Sequence, residues 1–196
     1  YRSVDGGISW QQVHSGLKDT TQSFFDIAID PINASILYVS TMDDGVFKSV
    51  NSGDEWFPIN NGLGPKWIRA IAIDSLNPET IYAGAEQAGI WKSMNGGENW
   101  TLASNGMPAE ATITSIVVSP TDSNIIFASD LSSGVYTSAD GGETWYAVNA
   151  GLDVRAIHEL AISGDGQHLY AATNGKGVFR IDLDGNIPSP YDDSNK

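Results

Sequence analysis

An all-β fold made of repeated four-stranded units is predicted by three observations. An eight-residue box recurs four times at a nearly constant period. The segments between boxes hold short apolar runs divided by turn residues, and they lack a helical period. Glycine is abundant at 21 residues and there are six tryptophans, which fits frequent tight turns around large packed side chains.

The box reads "SVDGGISW" from Ser3, "SVNSGDEW" from Ser49, "SMNGGENW" from Ser93 and "SADGGETW" from Ser138. Its tryptophans stand at 10, 56, 100 and 145, so the spacings are 46, 44 and 45. A reactive site is normally built once per fold, whereas this box recurs once per unit, which points to a structural part. The expected part is a hairpin turn. Asp5, Asn51, Asn95 and Asp140 can accept backbone N–H bonds inside their own turn. Gly7, Gly53, Gly97 and Gly142 supply positive φ at no steric cost. The hydroxyls of Ser3, Ser49, Ser93 and Ser138 can close the loop with a further local bond. Trp10, Trp56, Trp100 and Trp145 then open the next strand and bury a ring against the sheet. A calcium loop is the poorer reading, because a hard cation needs several converging oxygens and the box offers one or two.

After each box comes "HSGL", "NNGL", "SNGM" or "NAGL", then an apolar run, a turn, a second strand and a third that leads back to the box. In the second unit strand A is expected over 67–74, B over 80–85, C over 89–93 and D over 99–103. Strand A is apolar on both parities, with Ile68, Ala70 and Ala72 on one side and Ile71 and Ile73 on the other. Such a strand is buried on both faces. Units sandwiched between like units around an axis meet that demand, which gives a β-propeller of four-stranded blades.

The chain opens on the end of a C strand (1–3) and a D strand (9–14). Three full units follow, with A strands starting at Phe24, Trp67 and Thr112. A last A, B and C run over 155–183, and there the box is lost: Ile181 replaces Ser, Leu183 replaces Asp and no Trp follows. An incomplete ring is expected, completed by upstream blades outside this chain or, alternatively, by self-association. The strand over 9–14 could fill the missing D place, but residues 1–3 would then compete with 177–180 for one position. An unclosed arc would expose apolar strand faces at both ends. Residues 1–183 therefore read as the repeat domain and 184–196, polar with two prolines, as a linker or tail. The chain starts at Tyr1 and "YRSVDGG" has no signal-peptide pattern, so a processed or partial chain is expected. "DLDGN" from Asp182 lacks the Gly and Glu that a calcium loop needs at its sixth and twelfth places, and reads as a plain turn.

The pattern Ser-x-Asp/Asn-x-Gly followed by Trp resembles the Asp-box, or BNR repeat. That repeat occurs in sialidases, sortilin-type receptor propellers, xyloglucanase-like family 74 glycoside hydrolases and photosystem assembly propellers. "IDPINASILYVSTMDDGVFKS" and "IDSLNPETIYAGAEQAGIWKS" are most similar to the last three. The resemblance covers residues 1–183 and implies a propeller whose boxes lie at the C–D hairpins, at the periphery of one face. The opposite face then carries the D–A and B–C loops, where ligands bind.

Composition narrows the function. With 24 acids against 10 Lys plus Arg, the formal charge of −14 repels nucleic-acid backbones and anionic membranes. The absence of cysteine excludes disulfides, thiolate zinc sites and a Cys nucleophile. No run approaches the ~20 apolar residues of a membrane-spanning helix. His14, His158 and His168 are scattered without ligand spacing, so neither a metal nor a cofactor is expected. On the loop face, "MDDG" offers Asp43 and Asp44, "EQAG" offers Glu86, "DLSSG" offers Asp130, and "PKWIRA" offers Lys66, Trp67 and Arg69. A sugar stacks on Trp and Arg grips a carboxylate. The plainer alternative packs Trp67 at a blade seam and leaves Arg69 as a strand-edge charge.

A glycosidase would need two carboxyls roughly 5–10 Å apart. Glu86 and Asp130, in equivalent places of adjacent units, are the candidates, and they fall where the xyloglucanase-like family carries a catalytic Asp. The match is partial, since Met42 and Asn174 hold that place elsewhere and the family's Gly-Gly pair is absent. A sialidase would need an arginine triad that Arg2, Arg69, Arg155 and Arg180 do not supply, because Arg2 and Arg180 lie on C strands. The photosystem family implies an arginine-rich patch, and this chain is acidic. The expected role is a non-catalytic binding or scaffold module of an extracellular or cell-envelope protein, facing a protein or glycan. The alternative is part of a glycoside hydrolase. If the box is structural, Trp100→Ala costs about 3–5 kcal/mol; an unchanged melting temperature would contradict it.

Overall fold

The structure, a computed structural model, describes residues 1–18 and 23–183. It is all-β, with four antiparallel sheets that follow one another along the chain. The first sheet holds β1 (Phe24–Ile29), β2 (Leu37–Thr41), β3 (Val46–Ser49) and β4 (Phe57–Pro58). The second holds β5 (Ile68–Ile73), β6 (Ile81–Ala85), β7 (Ile90–Ser93) and β8 (Thr101–Leu102). The third holds β9 (Ile113–Val118), β10 (Ile126–Asp130), β11 (Gly134–Ser138) and β12 (Tyr146–Ala147). The last has only β13 (Ile157–Ile162), β14 (His168–Thr173) and β15 (Gly177–Asp182). Within each sheet the strands pair in chain order, as hairpins require.

The sheets stack face to face through their first strands: β1 on β5, β5 on β9 and β9 on β13. This is an arc of propeller blades, as the period predicted. D strands are shorter than expected; the one read over 99–103 forms only at Thr101–Leu102. Residues 184–196, read as a tail, lie outside the described residues, as do 19–22 of the first D–A loop.

The box folds as its composition dictates. In all four copies the serine Oγ accepts the N–H of the glycine four residues on, at 2.8–2.9 Å, and donates to the Asp or Asn Oδ1 at 2.7–2.9 Å. That Oδ1 accepts the N–H four residues beyond it at 2.9 Å. The glycine itself has φ between +87° and +91°. These bonds are local, so they form even in the exposed first box. There, hydrogen bonds from the Ser9 side chain and backbone and from Ser3 hold the Asp5 carboxyl down at about 2.

The tryptophan's burial is not local, and here one expectation fails. Trp56, Trp100 and Trp145 are buried, but Trp10 is 62% exposed. Where C and D strands were expected over 1–3 and 9–14, the only strand pairing among the described residues is one isolated bridge, Arg2 with Gln11. No A or B strand lies under that segment among the described residues, so the Trp10 indole has no sheet to cover.

Each buried tryptophan also joins two blades. Its N–H donates to a carbonyl of the preceding linker: Trp56 to Ser15, Trp100 to Asn61 and Trp145 to Asn105, at 2.8–2.9 Å. The indole Nε1 of Trp100 donates to the Ile59 carbonyl at 2.6 Å, and that of Trp145 to the Ala103 carbonyl at 2.8 Å. The residue after the accepting one is the glycine of "HSGL", "NNGL" or "SNGM". A Cβ on Gly106 would sit 2.2 Å from the Trp145 carbonyl oxygen, and φ there is +95°. Both features demand glycine. Gly106→Ala is therefore expected to destabilise the fold by at least about 2 kcal/mol, read as a lower midpoint in urea.

Candidate functional site

Backbone bonds sort the loops to two ends of the blades. At one end the residue directly after each B strand donates to the residue directly before each A strand: Met42 to Ser23, Glu86 to Trp67, Leu131 to Thr112 and Asn174 to Ala156, at 2.9–3.0 Å. At the other end the boxes bond the A–B turns: Ser52 to Ser35, Gly96 to Glu79 and Gly141 to Asn124. The boxes and the B–C loops are thus at opposite ends of the blades.

Of the predicted loop-face residues, the structure brings three together. The Arg69 guanidinium carbon lies 5.4 Å from the Phe25 ring centroid and 5.3 Å from that of Trp67. The two rings are stacked, 6.3 Å apart and 19° from parallel. Arg69 Nε donates to the Glu86 carboxylate, and both side chains are half-buried. The cation is therefore fixed by two ring faces and one carboxylate. Trp67 is half-buried, and its Nε1 is enclosed without a partner among the described residues.

The other candidates stand apart. Lys66 is exposed and contributes its carbonyl, which accepts Gly45 N–H at 2.8 Å. Asp43 is exposed, and Asp44 accepts from Lys18 Nζ at 2.6 Å. Asp130 is 1% exposed and caged: its carboxylate accepts Thr112 N–H, the N–H groups of Ser132 and Ser133 and both of their hydroxyls. Burial pushes this carboxyl up, but the serine and backbone bonds outweigh it and hold it below the ordinary range. As the glycosidase pair, Glu86 and Asp130 fail together: they are not at equivalent places, since Glu86 matches Leu131 and Asp130 matches Ala85, one is tied to a guanidinium, the other closes its own turn, and neither lines the cavity on the axis of the arc.

The axial cavity, of about 410 Å³, lies where the first strands of all four blades converge. Its polar lining comes from Asp26, Arg69, Thr114, Ser115, His158 and Glu159. The cause is a β-bulge at the same place in every A strand, after Phe24, Ile68, Ile113 and Ile157. A bulge re-aims a side chain out of the alternating pattern. Parts of this lining also join blades. Asp26 Oδ2 accepts Ile71 N–H at 2.8 Å, and Ser115 Oγ accepts Leu160 N–H at 3.1 Å while donating to Glu159 at 2.8 Å. Aside from Arg69, sequence reasoning missed these residues. The signal was present: in "FFDIAI", "IRAIAI", "ITSIVV" and "IHELAI" the second or third place breaks an otherwise apolar strand. The Asp130 cage was also legible, because "DLSSG" puts two serines where a turn aspartate binds them. Among the described residues no group of His, Asp and Glu is arranged to hold a metal.

No protein-family model matches the chain, and no curated protein matches it in sequence. Solved structures do. It is similar to the GH74 enzyme of Niastella koreensis with a TM-score of 0.66 and 24% identity over 84% of this chain and 29% of that one. It is similar to an ancestral GH74 enzyme with a TM-score of 0.60 and 24% identity over 76% of this chain and 21% of that one. The chain spans less than a third of either, and the likeness is one of fold.

The Asp130 cage generates a pH test. A carboxyl lowered in the folded state adds stability that is present above its unfolded pKa, about 3.9, and is lost as pH falls through its folded value. Asp130→Ala is expected to cost about 2–3 kcal/mol at neutral pH. In urea titrations the gap between wild type and variant should narrow below about pH 4; a gap independent of pH would refute the charged cage.

Proposed function

We propose that this chain is a non-catalytic binding and scaffold part of an Asp-box propeller, exposed outside the cell or in the envelope. On this reading residues 1–183 are its blades, and the loop end presents the Arg69 stack to a glycan or a protein. The supporting observation is the pairing of an exposed aromatic ring, Phe25, with a fixed cation at the rim of a polar cavity. Rings and polar groups side by side suit a sugar, whose C–H face stacks while its hydroxyls bond. The repeated Ser–Asx–Gly bond set supports the Asp-box attribution.

A second reading, part of a glycoside hydrolase, draws on the fold likeness to GH74 enzymes. The fate of Glu86 and Asp130 weighs against those two as its acids. Calorimetric titration with xyloglucan and β-glucan oligosaccharides, beside a reducing-end assay, separates the readings. Binding without release of reducing ends is expected, with affinity reduced about tenfold or more in Phe25→Ala, a loss near 1.4 kcal/mol. Hydrolysis that Glu86→Gln abolishes would reverse the assignment.

A further inference from the structure

Four Asn–Gly pairs lie in this chain, at 61–62, 95–96, 105–106 and 174–175. A glycine after asparagine has no Cβ to shield its backbone nitrogen, so that nitrogen can attack the asparagine side-chain carbon. For the attack, the peptide unit between the two residues must turn toward the side chain. A hydrogen bond to the carbonyl or the N–H of that unit opposes the turn. The four pairs are alike in sequence and differ in how the fold holds this unit.

Three of the units are clamped. The Asn61 carbonyl accepts the Trp100 N–H at 2.9 Å, and the Asn105 carbonyl accepts the Trp145 N–H at 2.8 Å. The glycines that follow press on the same tryptophans: a Cβ on Gly62 or Gly106 would lie 2.4 or 2.2 Å from the tryptophan carbonyl oxygen. At 95–96 the clamp is the box itself. Gly96 N–H donates to the Glu79 carbonyl at 2.9 Å, and Asn95 Oδ1 accepts the Ser93 hydroxyl and the Asn99 N–H, both at 2.9 Å.

The fourth unit is unclamped. Asn174 and Gly175 lie at the tip of the hairpin between β14 and β15, which the pairing of Thr173 with Gly177 closes. Both are exposed. Asn174 donates its own N–H to Ala156 at 2.9 Å. Its side-chain amide, its carbonyl and the Gly175 N–H have no hydrogen-bond partner among the described residues. A Cβ on Gly175 would meet nothing within 4 Å, so packing does not restrain the unit either. The tip position is open in blades that have a following neighbour, too. The counterparts of Gly175 there, Asp43, Gln87 and Ser132, are all exposed. Among the described residues only Gln87 of these gives its N–H to the next blade, through the Thr112 hydroxyl at 3.1 Å.

We infer that Asn174 is a modification site, at which the chain deamidates itself with water as the co-reactant. The Gly175 nitrogen forms a bond to Asn174 Cγ while the Cγ–Nδ2 bond breaks. Nδ2 leaves as ammonia and takes the proton of the Gly175 N–H. Water then opens the cyclic imide at either of its carbonyls, which gives aspartate or isoaspartate. Either product adds a negative charge to the loop end, at the place that Glu86 holds in the second blade. Isoaspartate also lengthens the backbone of the tip by a carbon. The charge of the loop end therefore changes with the age of the chain.

Incubating the whole chain in mildly alkaline buffer, followed by peptide mapping that separates asparagine, aspartate and isoaspartate, tests this. Position 174 is expected to convert at least about tenfold faster than 61, 95 or 105, a barrier lower by about 1.4 kcal/mol. Equal rates, or faster conversion at any of the other three, overturn the proposal. The same incubation in urea tests the cause. Once the clamps are gone, the four positions are expected to convert at comparable rates. A lead of position 174 that persists undiminished in urea also overturns the proposal, because the fold would then not be its source.

Discussion

Everything in this arc depends on how one blade meets the next, and the meeting is made by a tryptophan. Each buried box tryptophan gives its backbone N–H to the preceding linker and rests its carbonyl against a glycine that has no room for a Cβ. A large apolar ring and a backbone hydrogen bond are thus satisfied by the same approach, which couples burial to register. Trp56 shows what happens when the neighbour is incomplete. Among the described residues its indole N–H is buried without a partner, although its backbone N–H reaches Ser15 on the N-terminal segment.

Around that joint the polar contacts are graded by what the adjacent blade offers. The tyrosines at 38 and 82 are fully buried, and burial pushes their hydroxyls well above the ordinary range, so they serve as neutral donors to the box carbonyls. Lysine ammonium groups beside them lie over the same rings at 5.3 and 5.8 Å. Gly84 belongs to the same logic. A Cβ there would meet Ile113 at 2.6 Å, so the second and third blades can close only where the side chain is absent.

The candidate site arises from the same constraint. A strand buried on both faces has no place for a charge, so polar groups appear in the A strands only where a bulge frees a side chain toward the axis. Arg69 sits at such a place, and its charge is met by two rings and Glu86. Asp130 and Glu86, read as equivalent, are one place apart: Asp130 ends β10 where Ala85 ends β6, and Glu86 matches Leu131. That offset and the adjoining turn residues make the difference between a caged carboxylate and one paired across strands. Ser132 and Ser133 give Asp130 local donors, whereas Gln87 and Ala88 give Glu86 none, and Glu86 reaches Arg69 seventeen residues away.

The sequence alone determined the repeat, the strand order and the turn that ends each C strand. Those depend on bonds closed within eight residues, so the first box forms its Ser3–Asp5–Gly7 network although nothing covers it. It also marked the polar breaks in the A strands, whose meaning was not visible until the bulges aligned them. Only the tertiary structure decided which copies of a repeated residue do the same work. Trp10 and Trp145 are alike in sequence and opposite in burial, because an indole is buried by strands some forty residues distant. The Arg69 stack was settled in the same way, since its rings come from different blades and their approach depends on how the blades pack.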